Sequence, residues 1–359
     1  MRATIRPGCV VMDIGTGPGL LAVLAYQLGA SRVYAIEPND VIQLAREISA
    51  ANHCADKIEF FEDFSRKVSV PVRADVIVSD LRGILPLFEN HIPSIVDARQ
   101  RFLAPGGTLI ARRDRIWAAV ADAPEAYGKI VDPWDRNGLG QNLSTVRRKV
   151  LNEFGKARVQ PEQLLTKPQL WATLDYTTIE NPDVCGTVQW AAERNGTGHG
   201  ILVWFDVELA DNISFSTGPE SPETVYGTAF FPWLEPVPLV AGQNISFELD
   251  AKFLENDYFW RWTTQIESAE KAGETVARFE QSQLQGAVLS LTKLHRMASD
   301  YVPQLTQEDL IRRRALDLMD GKTSLEAIAR RLTNEFPDRF ARWVQALPFV
   351  SSIPNESSR

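Results

Sequence analysis

Cysteine and histidine are scarce in this chain of 359 residues, and neither is clustered. Cys9, Cys54 and Cys185 stand far apart, and His53, His91, His199 and His295 form no ligand spacing with them, which excludes a structural zinc site and a disulfide framework. Long apolar runs are also lacking: no window approaches about 18 uninterrupted apolar residues, and the N-terminus has no signal-like apolar region. Long basic runs are missing as well, and the formal charge is -8, so nothing tracks a phosphate backbone. No nucleic acid and no membrane are expected as partners, and a reduced, cytoplasmic setting is. Apolar residues at 44% and charged residues at 23% are ordinary globular usage, and the length predicts two or three domains.

What the chain does have is a rhythm that begins almost at once. "CVVMDI" reads as a strand, "GTGPG" as a turn and "LLAVLAYQLGA" as a helix. "RVYAIE", "KIEFFED", "ADVIVSD" and "GGTLIAR" repeat the pattern, with helices expected over about 40–51 and 89–103. Strands alternating with helices predict an α/β fold, a doubly wound Rossmann-like parallel sheet with its ligand at the carboxyl ends of the strands. The turn carries Asp13, Gly15, Gly17 and Gly19, whose small residues let a ligand approach the backbone. Glu37 ends the second strand about 20 residues later, where an acid accepts hydrogen bonds from a ribose diol, and Asp63 follows the third strand, placed to reach an adenine amine. A nicotinamide dinucleotide would use the same acid. Asp13 favours a ligand with a cationic amino-acid end, and S-adenosylmethionine has one.

With these residues the chain resembles the class I S-adenosylmethionine-dependent methyltransferases, and among them the protein arginine methyltransferases. Asp13, Gly15, Gly17, Gly19 and Glu37 match that family's nucleotide motif, and the likeness continues through "ADVIVSDLRG", "FLAPGGTLI", "DRIWAAVADAPEAY", "VWFDVEL" and "FSTGPESP", over about residues 8–255. It implies S-adenosylmethionine as cofactor. It also implies a methyltransferase sheet over 1–114, a β-barrel-like acceptor domain over 115–270 and a dimerisation arm near 134–153. Short segments such as "QLWATLDYT" and "ISFELDAKF", broken by Gly, Pro and Asn, read independently as a barrel. The arm reads equally as an ordinary surface helix; with the likeness, a homodimer is the expectation.

The stretch "SDLRGILPLFE" then becomes the acceptor-facing loop. In the family two glutamates at this separation grip the substrate guanidinium; here the positions hold Asp80 and Glu89. Two carboxylates suit a planar fork of donors, because bidentate hydrogen bonds aim one nitrogen at the methyl donor. Asp80 is one methylene shorter than glutamate. Arg82 stands where the family has an uncharged residue; folded inward it would pair with Asp80 or Glu89 and take the guanidinium's place, and otherwise it points to solvent. A Thr-His-Trp loop expected after "FSTGPESP" is replaced by Glu223-Thr224-Val225-Tyr226, which leaves Tyr226 as an aromatic wall of the acceptor pocket or a barrel core residue. The family's lid helices ahead of the first strand have no counterpart here, from which a start upstream of Met1 is expected.

From about residue 285 the pattern is helical, and "MDGKTSLEAIARRL" resembles small winged-helix-like peptide-binding modules, giving a module over 285–347; a plain helical cap fits the same residues. The tail "SSIPNESSR" is expected to be disordered. The sequence thus predicts methyl transfer to a nitrogen of a protein or peptide. A small-molecule acceptor and a non-catalytic peptide-binding scaffold of the same fold are the alternatives.

Overall fold

In a computed structural model of the chain, residues 1–136, 138, 140–271 and 273–357 are described. Contacts divide the chain into two compact units, Met1–Ala287 and Val288–Arg359.

The first unit opens with a five-stranded sheet made of β1 (Val10–Ile14), β2 (Arg32–Ile36), β3 (Ile58–Phe61), β4 (Ala74–Ser79) and β5 (Leu103–Ile110), in the order β3-β2-β1-β4-β5. Every neighbouring pair is parallel. The strands are near-continuous β-branched and apolar runs because both faces are covered. Helices α1 (Leu20–Gln27), α2 (Ile42–Ala51) and α3 (His91–Arg101) supply that cover. On one side Val11, Val33, Val76 and Val78 pack with Ala22, Val23 and Ala25 of α1. On the other, Met12, Ile14 and Ile77 join Ile92 and Ile95 of α3. The chain moves outward from β1 to β3, then returns to β4 on the other side of β1, so the strand order reverses between β1 and β4. A crevice opens at their carboxyl ends, the place where open α/β sheets bind ligands.

An antiparallel part follows, with β6 (Arg113–Ala121), α4 (Pro124–Asp135), α5 (Ser144–Leu151), β7 (Gly155–Ala157), β8 (Gln169–Asp175), β9 (Val184–Ala191), β10 (Gly196–Ala210), β11 (Ile213–Ser216), β12 (Thr228–Leu239), β13 (Asn244–Leu254), β14 (Asp257–Glu267), β15 (Thr275–Ser282) and a last turn, α6 (Gln283–Gly286). One sheet runs β7-β12-β10-β6-β8 with β11 on β10, and the other β15-β14-β13-β9. Their inner faces share one core, in which Phe231 packs against Phe247, Trp260 and Trp262. That core is continuous with Met12 and Ile14 of the parallel sheet, so the two parts pack as one body. Helix α5 lies where the arm is expected and α4 ends at its start; Tyr127 and Val131 of α4 and Leu151 of α5 are buried against Leu202 and Phe230. Asn137 and Leu139 of that arm lie outside the described residues.

The second unit contains α7 (Leu291–Met297), α8 (Gln307–Asp317), α9 (Leu325–Glu335) and α10 (Trp343–Ser357). Thr306 caps α8 through a reciprocal box with Asp309, and Ser324 caps α9. Ile311, Leu332, Phe340 and Val350 form its core. Two expectations are corrected here. No strand occurs among the described residues of this unit, so nothing forms the wing of a winged-helix-like module. The tail is helical as far as Ser357, because Val350 and Ile353 are buried in the core and carry the last turns with them.

Candidate active site

The site is built upward from the end of β1. Asp13 is 1% exposed, and its Oδ2 accepts a hydrogen bond of 2.6 Å from Thr16 Oγ1. Its other oxygen, Oδ1, is buried with no partner. Burial raises the Asp13 pKa to about 7, against the pull of Thr16 and of the nearby Ala22 N–H, with Glu37 and Asp80 adding like charge. A buried carboxylate with one idle oxygen suits a cationic group brought by a ligand.

The glycine loop follows. Gly15 has φ +70, and a Cβ there would meet Leu81 Cδ2 at 2.3 Å, so glycine is required both by backbone and by the close approach of the acceptor loop. Gly17 donates its N–H to Glu37 Oε2 at 3.1 Å, and Gly19 is the N-cap of α1. Glu37 Oε1 accepts from Asn39 N at 3.1 Å and Asn39 Nδ2 at 2.8 Å, which fixes the carboxylate at the end of β2.

A cavity of about 480 Å³ occupies the crevice. Gly15, Glu37, Asn39, Phe64 and Arg66 line one part of it, and Asp80, Arg82, Glu89 and His91 another. Asp13 lies buried at its edge rather than among its lining residues. Asp63 is corrected: its carboxylate accepts from Phe64 N at 2.8 Å and pairs with Lys67 at 3.5 Å, and its neighbours Phe64, Ser65 and Arg66 face the cavity instead. A short 3-10 turn over Ser65–Lys67 follows, and the acid is held beside it by the Phe64 N–H and Lys67.

At the acceptor end both clamp residues are present. Asp80 is about half exposed, and its Oδ2 accepts from Tyr226 Oη at 2.5 Å while Oδ1 accepts from Arg82 Nη1 at 3.3 Å. Glu89 sits at φ +42, its N–H held by Asp257 Oδ1 at 2.9 Å. Arg82 has folded inward. Its side chain is 3% exposed, and Nε and Nη2 form a fork on Asp114 at 2.7 and 3.0 Å. Burial works against its charge, but the Tyr176 oxygen and Asp114 outweigh it and raise the Arg82 pKa. Tyr226 packs edge-on to Phe205 and stacks with Phe215, so it is a wall of the acceptor end and a core aromatic at once. Burial, followed by its bond to Asp80, raises its pKa and keeps the phenol protonated.

Two functional neighbours escaped the sequence reading. Asp114 is fully buried in β6 and also accepts from Tyr176 Oη at 2.5 Å. Its signal was positional: in β6 the inward residues are Asp114, Ile116, Ala118 and Val120, and an acid in such a series needs a buried partner. His91 lines the cavity and packs against Tyr176, with Nδ1 donating to Pro86 O at 2.7 Å. Burial, helped by the Arg82 charge, lowers its pKa to about 3, so it stays neutral. A separate groove of about 930 Å³ contains none of Asp13, Gly15, Glu37, Asp80 and Glu89; Trp117, Trp204 and Phe215, from the stretches "DRIWAAV", "VWFDVEL" and "FSTGPESP", line it instead.

Comparison with known proteins agrees with this geometry along both parts of the first unit. Residues 115–263 match the family model "Arginine methyltransferase oligomerization subdomain", and residues 1–122 match that of the ribosomal protein L11 methyltransferase (PrmA). A probable protein arginine N-methyltransferase 6 of Arabidopsis thaliana is 30% identical over 214 residues, covering 58% of this chain and 49% of its own length. Protein arginine N-methyltransferase 1 of Schizosaccharomyces pombe is 28% identical over 255 residues, covering 69% and 75%. The chain thus spans about half the length of the first relative and three quarters of the second. Among solved structures, the Trypanosoma brucei PRMT1 enzyme-prozyme heterotetrameric complex with AdoHcy superposes with a TM-score of 0.68 at 20% identity, covering 77% of this chain and 89% of that one. Arabidopsis thaliana protein arginine methyltransferase 10 gives 0.65 at 22% identity, with the same coverage. In sequence and in fold, the chain is arginine-methyltransferase-like, with the class I methyltransferase sheet followed by the antiparallel subdomain of that family.

Proposed function

We propose that the protein is an S-adenosylmethionine-dependent methyltransferase acting on a nitrogen of a protein or peptide side chain, a nitrogen that gives up a proton as its bond to the methyl group forms and the sulfonium–methyl bond breaks. One observation carries this: a single cavity at the switch point of the parallel sheet is lined by Gly15, the first glycine of the loop, by Glu37, and by Asp80 and Glu89. The residues fit the cofactor. Asp13 Oδ1 is an idle buried acceptor for an ammonium, and Glu37 is held in place for a ribose diol. Gly15, Gly17 and Gly19 would hold the cofactor's backbone-facing side. Bound there, S-adenosylmethionine supplies a methyl group on a sulfonium.

The chain's own residues do the rest. Asp80 and Glu89 add negative charge where a cationic acceptor enters, and Glu89 offers its carboxylate to the acceptor's N–H groups. His91 stays neutral, so it adds no charge that repels a cation. The relatives' names support a protein acceptor, and the match of residues 115–263 to an oligomerization subdomain supports a homodimer. Three free cysteines support a reducing, cytoplasmic setting. No helix among the described residues is long and apolar enough to cross a membrane.

Isothermal titration with S-adenosylhomocysteine tests the cofactor half of the reading. One site per chain is expected, weakened at least about tenfold in Glu37→Ala, where the ribose contact is lost. Absence of binding to the full chain removes the proposal.

A further inference from the structure

We propose that Arg82 is a positioning residue, a strut that carries the acceptor loop on the barrel, and not a rival for the acceptor's place. The inference rests on the reading of Asp80 and Glu89 as the acceptor grip.

The strut is anchored away from the cavity. Two of the three Arg82 nitrogens bond Asp114, which is fully buried in β6, and only Nη1 reaches Asp80. Arg82 also lies over the Tyr176 ring at 5.7 Å, and Tyr176 Oη closes the network on Asp114 at 2.5 Å. Charge follows the same division. Asp114 balances Arg82, so Asp80 and Glu89 keep their two negative charges for an incoming cation. An arginine inserted without Asp114 would cancel half of that attraction.

The loop is held by the barrel at its other points too. Tyr226, in the turn before β12, donates to the second Asp80 oxygen, and Asp257 at the start of β14 accepts the Glu89 N–H. Asp80 is short, and both its oxygens are met by donors, one by Tyr226 of the antiparallel part and the other by Arg82 of the loop itself. Among the described residues nothing bonds the Glu89 carboxylate. The geometry therefore gives the two acids different tasks: Asp80 is pre-set by Arg82 and Tyr226 and contributes charge and one wall, and Glu89 makes the directional contact with the acceptor. Alignment at this end then depends on a fork of hydrogen bonds that only arginine can form, because a lysine reaches one partner at a time.

The test compares the full chain with Arg82→Lys, Arg82→Met and the double variant Arg82→Met with Asp114→Asn, which leaves no lone buried charge. Three quantities are read: S-adenosylhomocysteine affinity, amide hydrogen exchange of segments 15–19 and 80–90, and transfer from radiolabelled S-adenosylmethionine to a synthetic Gly-Arg-Gly repeat peptide and to lysate protein. Affinity and the exchange of 15–19 are expected to hold within about threefold, with 80–90 exchanging at least about tenfold faster in Arg82→Met and in the double variant. Transfer is expected to fall at least about tenfold in kcat at unchanged peptide KM, with part of the loss recovered by Arg82→Lys. Unchanged exchange of 80–90 in the double variant overturns the strut, as does transfer by Arg82→Met that equals or exceeds that of the full chain. Failure of the full chain to bind S-adenosylhomocysteine would instead remove the methyltransferase reading, and the exchange result still decides the strut.

Discussion

Asp13 and His91 give the cavity an unusual acid–base balance, and the two work in opposite directions. The Asp13 carboxyl is raised from 3.8 to about 7 by burial, so the folded state takes up its proton more readily than the unfolded chain. Its contribution is fully present below pH 3.8 and is lost as pH rises towards about 7, a difference on the order of 4 kcal/mol at most. His91 is lowered from 6.5 to about 3, so its contribution is present above pH 6.5 and is lost as pH falls towards 3. Between those limits the two offset each other. Asp13→Asn removes one side of the balance: the melting temperature of the variant relative to the parent protein is expected to be higher at pH 8 than at pH 5. A pH-independent difference contradicts the buried, idle oxygen as the cause. The residues of the site differ in how far the sequence disclosed them. Gly15 and Glu37, singled out by the glycine turn and the strand end, and Asp80 and Glu89, singled out by the family resemblance, line one cavity, whereas Asp13, Gly17 and Gly19 are not among its lining residues. Asp63 and Arg82 depended on side-chain direction, which spacing leaves open: the acid is held by the Phe64 N–H and Lys67, and the arginine found Asp114, 32 residues away in sequence.

Among the elements, the glycine loop and the acceptor loop are packed on each other rather than side by side. Gly15→Ala places a methyl group within 2.3 Å of Leu81 Cδ2 at a φ of +70. A loss of about 1–3 kcal/mol in stability and a clear weakening of S-adenosylhomocysteine binding are expected. Adding Leu81→Ala relieves the collision but not the backbone strain, so about half of the stability loss should return in a denaturant titration. No recovery would mean that Leu81 does not press on the loop. The parallel strands β1 to β4 were legible because each is a short apolar run followed by an acid or glycine, and the antiparallel strands because Gly, Pro and Asn break them. The helical tail was not legible: its polar composition hides Val350 and Ile353, two buried residues that hold the last turns.

For the whole molecule, the division at Ala287 has a direct consequence. The cavity, the clamp and the Arg82 strut all belong to the first unit, so a protein ending at Ala287 is expected to bind S-adenosylhomocysteine within about threefold of the full chain. Loss of binding would show that the helical unit contributes to the site. The proposed homodimer is to be read by sedimentation; a monomer at micromolar concentration contradicts it. The central claim is the transfer of a methyl group to a protein nitrogen. Its most direct test incubates the full chain with radiolabelled S-adenosylmethionine and lysate from its own organism. Label in protein, abolished by Glu89→Gln at preserved S-adenosylhomocysteine affinity, is the predicted result; label confined to small molecules, or incorporated nowhere, contradicts it.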